Sequence, residues 1–368
     1  MTILRAILNR GENGRGLGVC RRTVCVAAAL AGLLAFAATG ADAQNADYFR
    51  GKSISLIFGG GIGGGYDTYA RMLQPHYAKH IPGNPRIIVK SVPGAGTLVA
   101  ANYLYEIAPA DGTEIGTVGS GTATAALLES TNVRLDPRKF VWLGSMTSDV
   151  SVALSWHTTG IASIQDTFKR KMIVGGGGPT SGNVIFPLLL NRLLGTQFEI
   201  ITGYKSSGEA MLAVERGELD GIISWNYSSI RASRLYLVQE KKIHLLLQFA
   251  LGRHEELPDV PLVTDLARND EERAVLELIF ARQEMGRPFL APPATTPAVA
   301  KILRDAFDAT MKDPEFLADM AKRKIEISRP MSGAQIDAMI ARFYAFPAAV
   351  VEKAISVTDT STIKESAR

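Results

Sequence analysis

Short apolar segments alternate with helical stretches along almost the whole chain, and this alternation restricts the fold more than any other feature. Strands that alternate with helices favour an α/β fold with mainly parallel sheets. We predict eight strands, at Ser53–Phe58, Arg86–Lys90, Glu114–Val118, Lys171–Val174, Phe198–Thr202, Leu219–Ser224, Ile243–Phe249 and Arg287–Leu290.

Several helix boundaries are marked by their residues. Thr296 and Asp313 each precede a proline, which places a cap before the first helical position. Ser332–Gln335 has the pattern of a capping box, in which Ser and Gln side chains satisfy free amides. Pro75 and Pro187 lie inside predicted helices, where proline removes an amide donor, so we expect a kink or a break at each.

The loop after the first strand is unusually rich in glycine. Six of the seven residues of Gly59–Gly65 are glycine, and a predicted helix follows. Unshielded main-chain N–H groups beside the positive end of a helix can converge on an anion. A tight turn seldom needs so many glycines. Asp67 stands at the mouth of the helix, where it is predicted to cap the helix or, alternatively, to fix the loop.

Four more loops of small residues follow later strands. Open α/β sheets bind ligands beyond the carboxyl ends of their strands. Five such loops, divided between two halves of the chain, therefore predict two walls that face one cleft. The four loops are Pro93–Thr97, Gly119–Thr124, Gly175–Gly182 and Tyr204–Gly208.

The N-terminal segment has the three parts of a secretory signal. Residues 1–22 contain five arginines and one acid, the 15-residue stretch Val24–Ala38 is apolar, and Ala41-Asp42-Ala43 follows. A membrane-spanning helix needs about 20 apolar residues. We therefore predict a signal peptide that is cleaved after Ala43 and a protein that is exported to the periplasm. Arg21-Arg22 leaves the choice between the general and the twin-arginine export route open.

Removal of residues 1–43 changes what composition implies. Both cysteines lie in this segment, so the remaining chain has no disulfide, thiolate metal site or cysteine nucleophile. Five of the 40 basic side chains and two of the 36 acidic side chains lie in this segment. The remaining chain therefore has 35 basic and 34 acidic side chains. This near-neutral balance gives no support for nucleic-acid binding. The remaining 325 residues exceed the size at which a single core stops growing, so two domains are expected.

Residues for catalysis, metal binding or cofactor binding are sparse. The five histidines show no metal-ligand spacing, no serine lies in G-x-S-x-G, and no two carboxylates are paired for acid–base work. We predict no catalytic residue, no metal and no cofactor. A secreted hydrolase is one alternative function, but the sequence offers no nucleophile with a base for it.

An NAD(P)-dependent oxidoreductase is the main alternative. Gly59, Gly61 and Gly64 match the dinucleotide fingerprint G-x-G-x-x-G. A dinucleotide site also needs an acidic residue at the end of the next strand, to bind the ribose. That strand, Arg86–Lys90, ends without one. The glycine loop therefore fits an anion site better than a dinucleotide site.

Five motifs occur in one order between Tyr48 and Lys353. They are Gly63–Arg71, Pro93–Gly96 with Asp111-Gly112, Tyr204-Lys205 with Gly217–Asp220, Leu257–Pro261, and Ala291–Pro293 with Thr296-Pro297. In this order the chain resembles the substrate-binding receptors of tripartite tricarboxylate transporters, the Bug proteins. It departs from the family pattern where Ser206-Ser207 and Thr97 replace glycines, and where Asn269–Met285 lengthens a helix.

The resemblance implies a type 2 periplasmic binding fold, with two α/β lobes joined by two crossover strands around a ligand cleft. Residues 46–148 and 286–368 would form lobe 1, and residues 149–285 lobe 2. The crossovers would lie near Thr147–Val150 and Glu284–Gly286, with Ser148 and Gly286 as hinge residues. The protein would be a monomer that works with membrane permease subunits.

The resemblance also implies a ligand, a small tricarboxylate, dicarboxylate or aromatic acid. Main-chain amides and bridging waters from both lobes would hold its carboxylate, and no arginine clamp is evident in the loops. Four aromatic residues are either walls of the site or ordinary packing, namely Tyr66, Tyr204, Trp225 and Tyr227. The candidate ligand-binding residues are Gly63, Gly64, Gly65, Tyr66, Asp67, Gly94, Ala95, Gly96, Ser120, Thr122, Thr180, Ser181, Gly182, Tyr204, Lys205, Ser206 and Trp225.

Overall fold

Eleven strands are present in the computed structural model, which describes residues 48–94, 97–128, 133–177, 181–204, 207–325, 327–361 and 363. The predicted signal peptide lies outside these residues. The strands are β1 (Ser53–Phe58), β2 (Arg86–Ser91), β3 (Glu114–Thr117), β4 (Val141–Ser145), β5 (Ser151–Trp156), β6 (Met172–Gly175), β7 (Phe198–Ile201), β8 (Gly221–Asn226), β9 (Ile243–Phe249), β10 (Pro288–Ala291) and β11 (Met331–Ser332).

The strands form two sheets, one in each lobe. The first has six strands in the order β11-β4-β10-β3-β1-β2, and the second has five in the order β7-β6-β8-β5-β9. Within the first sheet β1, β2 and β3 are parallel, whereas β4, β10 and β11 pair antiparallel. Within the second, β6, β7 and β8 are parallel, whereas β5 pairs antiparallel with β8 and β9.

The predicted fold class, a two-lobed α/β fold of the type 2 periplasmic binding kind, is confirmed. The expectation of mainly parallel sheets is wrong, because both sheets are mixed. Strands β5 and β10 enter their sheets from segments that cross between the lobes, so βαβ units do not set their direction.

Twelve α-helices lie among the described residues, together with short 3₁₀ segments. The α-helices are α1 (Gly65–His80), α2 (Leu98–Glu106), α3 (Ala125–Leu128), α4 (Gly182–Leu194), α5 (Ser207–Glu215), α6 (Tyr227–Ser233), α7 (Leu235–Gln239), α8 (Asp270–Phe280), α9 (Pro297–Thr310), α10 (Pro314–Lys322), α11 (Gly333–Phe343) and α12 (Ala348–Thr358). The 3₁₀ segments are Ser120–Ala123, Pro137–Lys139, Ile164–Phe168, Val263–Leu266 and Ala281–Glu284. Within the described chain, none of the helices combines the length and the hydrophobicity that crossing a membrane requires.

The caps predicted at Thr296, Asp313 and Ser332 are confirmed. Thr296 and Asp313 accept from main-chain amides at the starts of α9 and α10, and Ser332 forms the capping box of α11 with Gln335. The two helices with internal proline, α1 and α4, each run through it as a single element rather than in two pieces. Pro75 and Arg71 are both exposed, so water can reach the carbonyl that lacks an amide donor.

The chain passes between the sheets at residues 146–150 and returns at 281–287, close to the expected crossovers. These two segments are hydrogen-bonded to each other. The amide of Gly286 donates to Thr147 O at 2.8 Å, and the amide of Asp149 donates to Gln283 O at 2.8 Å. A Cβ on Gly286 would lie 2.5 Å from Cβ of Asp149, so only glycine allows this approach.

Helix α12 brings the chain to the second lobe once more. Helix α11 packs against β4 of the first sheet, whereas α12 packs against α4 and α8 of the second lobe. Val350, Ala354 and Val357 of α12 are buried in the same apolar cluster as Phe280 of α8. The lobe boundaries expected from the sequence place residues 286–368 in lobe 1, and they stay a prediction.

Candidate functional site

A cavity of about 200 Å³ lies between the two lobes, beside the segments that connect them. Loops that follow β1, β2 and β3 contribute its first wall, as expected for ligand sites at the carboxyl ends of strands. A larger hollow of about 420 Å³ lies elsewhere, along α1 and the edge strand β2. Residues of one lobe alone line that hollow, so the cavity between the lobes is the better candidate for a ligand site.

The first wall contains Tyr66, Thr97, Ser120 and Thr122. Thr97 has a φ of +86° and accepts a hydrogen bond at 2.7 Å from the amide of Gly119. A positive φ is unfavourable for a β-branched residue, and such strain is concentrated at functional sites. Thr97 stands where the family motif has glycine, the residue that adopts this conformation without strain.

Tyr66 keeps its phenolic proton at neutral pH. Burial raises the pKa of Tyr66 above its ordinary value, although the positive charge of Arg287 opposes the shift. The guanidinium carbon of Arg287 lies 5.2 Å from the centre of the Tyr66 ring. The face of the Tyr66 ring therefore stabilises the Arg287 guanidinium through a cation–π interaction. The Tyr66 hydroxyl remains able to donate a hydrogen bond.

The second wall is formed by the start of α4 and the end of β8. Gly182 begins α4, and a Cβ there would lie 2.7 Å from Oγ of Ser224. Ser224 lines the cavity with a φ of +66°, so it is a second strained residue in the wall. Phe186 and Asn226 complete this side with an aromatic ring and an amide.

An ion pair lies where the two connecting segments meet. Nη1 of Arg287 donates to Oδ2 of Asp149 at 2.7 Å and to Gly286 O at 2.7 Å. Both side chains of the pair are 8% exposed. Burial opposes the charge on Arg287, but the Asp149 carboxylate more than compensates and holds the pKa of Arg287 above its ordinary value. Arg287 is therefore a permanent cation at the wall of the cavity.

One nitrogen of this guanidinium has no protein partner among the described residues. Nε of Arg287 is buried, and its N–H donates to no acceptor there. A buried donor without an acceptor costs about 1–3 kcal/mol, so a ligand oxygen or a water at this nitrogen would stabilise the site. The guanidinium also lies 5.0 Å from the ring of Tyr69, which fixes its plane.

Arg282 is a second arginine at the cavity. Its guanidinium carbon lies 5.8 Å from the centre of the Phe186 ring, and a Cβ on Gly121 would lie 3.2 Å from its Nη1. The sequence showed no arginine clamp in the loops that follow the strands. Arg282 and Arg287 come instead from the segment that returns to the first lobe. The crossover predicted near Glu284–Gly286 was the sequence feature from which these two arginines could have been predicted.

The structure brings some of the sequence-predicted residues together and not others. Tyr66, Ser120, Thr122 and Gly182 line the cavity. Tyr204 and Trp225 are packed in the apolar core of the second lobe. Ala95, Gly96, Thr180, Lys205 and Ser206 lie outside the described residues. The remaining predicted residues do not line the cavity, and their role in binding stays a prediction; they are Gly63, Gly64, Gly65, Asp67, Gly94 and Ser181.

Asp67 ties the glycine loop to its helix. The N-cap of α1 is Gly64, which makes no side-chain cap. Oδ2 of Asp67 accepts from the amide of Gly63 at 2.8 Å, and Oδ1 accepts from Nε of Arg71 at 2.6 Å. The prediction that Asp67 caps the helix is therefore wrong, and the alternative, a carboxylate that fixes the loop, is what the structure shows.

Metal ligation finds no support in the described part of the chain, which contains no group of three or more His, Cys, Asp or Glu side chains that could hold a metal ion. The chemistry of the cavity is instead that of an anion site. It offers guanidinium groups, hydroxyl groups and amides around a small volume. Such groups bind an anionic oxygen through charge-assisted hydrogen bonds.

Two lobes joined by paired segments, with a polar cavity between them, define the class of two-lobed solute-binding proteins. The sequence model of the Tripartite tricarboxylate transporter family receptor, TctC, matches residues 69–353. The chain belongs to this family, as the five motifs indicated. Members of the family are substrate-binding proteins, not enzymes, so the oxidoreductase and hydrolase alternatives are set aside.

Solved structures of this class share the fold. A TctC solute-binding protein from Polaromonas superposes with a TM-score of 0.61 at 17% identity, over 82% of this chain and 99% of that one. MatC from Rhodopseudomonas palustris with bound malate gives 0.60 at 19% identity, over 84% and 100%. An R. palustris protein with adipate gives 0.59 at 16% identity, over 83% and 97%. No protein with a curated description matches the chain.

Proposed function

We propose that this protein is a periplasmic receptor that captures a small carboxylate between its lobes and delivers it to the permease subunits of a tripartite tricarboxylate transporter. The observation that carries the proposal is Arg287, a buried cation whose Nε has no hydrogen-bond partner among the described residues and which lines the cavity. A carboxylate oxygen is the complementary acceptor for a guanidinium N–H. The malate and adipate bound by two proteins of the same fold support this class of ligand.

The size of the cavity supports a small ligand. Pockets for drug-sized ligands measure about 300–1,000 Å³, whereas this cavity measures about 200 Å³. An aliphatic acid of a few carbons fits this volume better than a nucleotide. Among the described residues, those of the glycine-rich loop Gly59–Gly65 do not line the cavity, whereas the adjacent Tyr66 does.

The cellular context rests on the sequence. The arginine-rich, apolar and A-x-A segments of residues 1–43 support export to the periplasm with cleavage after Ala43. Residues 46–148 and 286–368 form lobe 1 in this proposal, and residues 149–285 form lobe 2. The receptor acts as a monomer on its permease partners.

A thermal-shift panel tests the ligand class. The probes are acetate, lactate, succinate, malate, adipate, citrate and benzoate, with NAD⁺ as the competing ligand class. An acid present at 100 times its Kd adds about 2.7 kcal/mol to the free energy of unfolding, so we expect at least one acid to raise the melting temperature by several degrees. A shift with NAD⁺ and with none of the acids would contradict the proposal.

Two arginine variants locate the site. Arg287→Lys keeps a positive charge opposite Asp149 but removes the planar guanidinium fork, so we expect affinity for the responding acid to fall about tenfold or more. Arg323→Lys is the matched control, because Arg323 directly follows α10 and pairs with Asp319 at the surface. Calorimetry should show unchanged affinity in the control. Equal affinities for all three proteins would remove Arg287 from the site.

A further inference from the structure

We propose that Asp149 makes the cavity selective for acids that carry a single negative charge and a neutral polar second end. This inference rests on the proposed function and goes beyond it, because it names the charge of the ligand. It also sets this receptor apart from the two proteins bound to malate and adipate, since both of those ligands carry two carboxyl groups.

The Asp149 carboxylate is fixed in the cavity wall. Its Oδ2 accepts from Nη1 of Arg287 at 2.7 Å and from Nδ2 of Asn226 at 2.6 Å. Its own amide donates to Gln283 O at 2.8 Å, which ties the main chain to the other connecting segment. With its side chain 8% exposed, Asp149 cannot turn away from a ligand into solvent.

The charge of Asp149 limits what its arginine neighbour can bind. The carboxylate already compensates the Arg287 guanidinium, so a ligand anion at Nε meets an ion pair rather than an isolated cation. The charged residues among the described lining are Arg282, Arg287 and Asp149. Asp149 is the acid of this set, and its carboxylate is fixed beside the guanidinium that a ligand carboxylate would approach.

The rest of the lining is suited to a neutral polar group. Ser120, Thr122, Ser224, Asn226 and Gln283 contribute hydroxyl and amide groups, which both donate and accept hydrogen bonds. A hydroxyl or an amide at the second end of the ligand would find partners there. A second carboxylate would lie close to the fixed negative charge of Asp149 within the same 200 Å³. Like charges repel strongly in a poorly solvated site, so one of the two carboxyl groups would have to be protonated.

Matched pairs of ligands test the inference. Isothermal titration calorimetry compares succinate with succinamate, glutarate with glutaramate and adipate with its monoamide, because each pair differs in charge but hardly in shape. Citrate is included as an acid of higher charge. We expect the monoamide to bind about tenfold or more tightly than its dicarboxylate, a difference that like-charge repulsion readily supplies.

A variant and a proton count check the cause. Asp149→Asn removes the negative charge and keeps the shape, so we expect the dicarboxylate to gain about tenfold relative to its monoamide. Arg323→Gln, a surface charge change at the end of α10, is the control and should leave the ratio unchanged. Because the variant could disturb folding, the wild type is also titrated in buffers of different ionisation enthalpy. Dicarboxylate binding should take up about one proton at pH 7, and monoamide binding none.

The outcomes separate the two proposals. Dicarboxylates or citrate that bind the wild type as tightly as the monoamides, without proton uptake, would overturn the selectivity and leave the carboxylate receptor standing. Monoamides that bind more tightly, with the ratio shifted in Asp149→Asn or with proton uptake by the dicarboxylates, would establish it. A protein that binds none of these acids would overturn both.

Discussion

The glycine loop of this receptor is bound to the helix that follows it by the side chain of Asp67. Asp67 is buried at 4% exposure, and its two carboxylate oxygens accept from the amide of Gly63 and from Arg71. The Arg71 side chain is 48% exposed, so water screens its contribution. The hydrogen bond from the Gly63 amide therefore contributes more to stability than the ion pair with Arg71.

Replacing Asp67 separates these contributions. Asp67→Asn removes the charge and replaces one acceptor by a donor, so we expect the free energy of unfolding to fall by about 1–3 kcal/mol. Urea unfolding followed by circular dichroism measures it. Arg71→Gln, which leaves the loop bond in place, should cost no more than about 0.5 kcal/mol. Equal losses of unfolding free energy in the two variants would show that the ion pair with Arg71, and not the hydrogen bond from the Gly63 amide, accounts for the stabilisation by Asp67.

The sequence located part of the site and missed its charged centre. Tyr66, Ser120, Thr122 and Gly182 were predicted because they stand in loops after strands, and such loops meet at one edge of a sheet. Arg287 and Asp149 could not be found this way. They are 138 positions apart and meet only because the two connecting segments lie side by side, which no local pattern records.

At the scale of elements, α12 is the feature that most affects how the lobes are held. Arg192 of α4 donates to main-chain oxygens of Ser356 and Asp359, at 3.2 Å and 2.5 Å, and so fixes the end of α12 to the second lobe. The segment before α12 starts at the end of α11, and α11 packs on the first sheet. The chain therefore links the lobes a third time, beyond the two predicted crossovers.

A charge at the buried face of α12 tests this contact. Ala354 is fully buried, so Ala354→Asp places an unpaired carboxylate against α4 and α8 and should lower the free energy of unfolding by about 2–5 kcal/mol. Ile355→Asp puts the same charge on the next residue, which is 41% exposed, and should change stability by no more than about 0.5 kcal/mol. Similar values for the two variants in urea unfolding would contradict the packing of α12 on the second lobe.

Elements with strong local signals were predicted well. Strands β1 and β9 match their predicted bounds, since each is an apolar run between turn residues. Strands β4 and β5 were not predicted, because only a short connecting segment separates them and neither is followed by a turn signal that marks a hairpin or a βαβ unit. The direction of these strands depends on how the lobes are joined, which is a property of the whole chain.

At the scale of the molecule, we propose that the two lobes close on a ligand between them. The connecting segments touch at Gly286 and Asp149, and the ion pair of Asp149 with Arg287 lies at the same place. A ligand that contacts both walls stabilises the closed form by its difference in affinity for the two forms. Hinges need only a few residues that absorb a change of dihedral angle, and Ser148 and Gly286 are the predicted ones.

Small-angle X-ray scattering of the receptor, with and without a saturating acid from the thermal-shift panel, tests most directly whether the ligand binds between the lobes. We predict a smaller radius of gyration with the acid, because ligand held by both walls draws the lobes together. At about three times the wild-type Kd, the Arg287→Lys variant, with its roughly tenfold weaker affinity, should show a much smaller change in radius than the wild type. An acid that saturates the wild type in calorimetry and leaves its scattering curve unchanged would contradict binding that closes the two lobes.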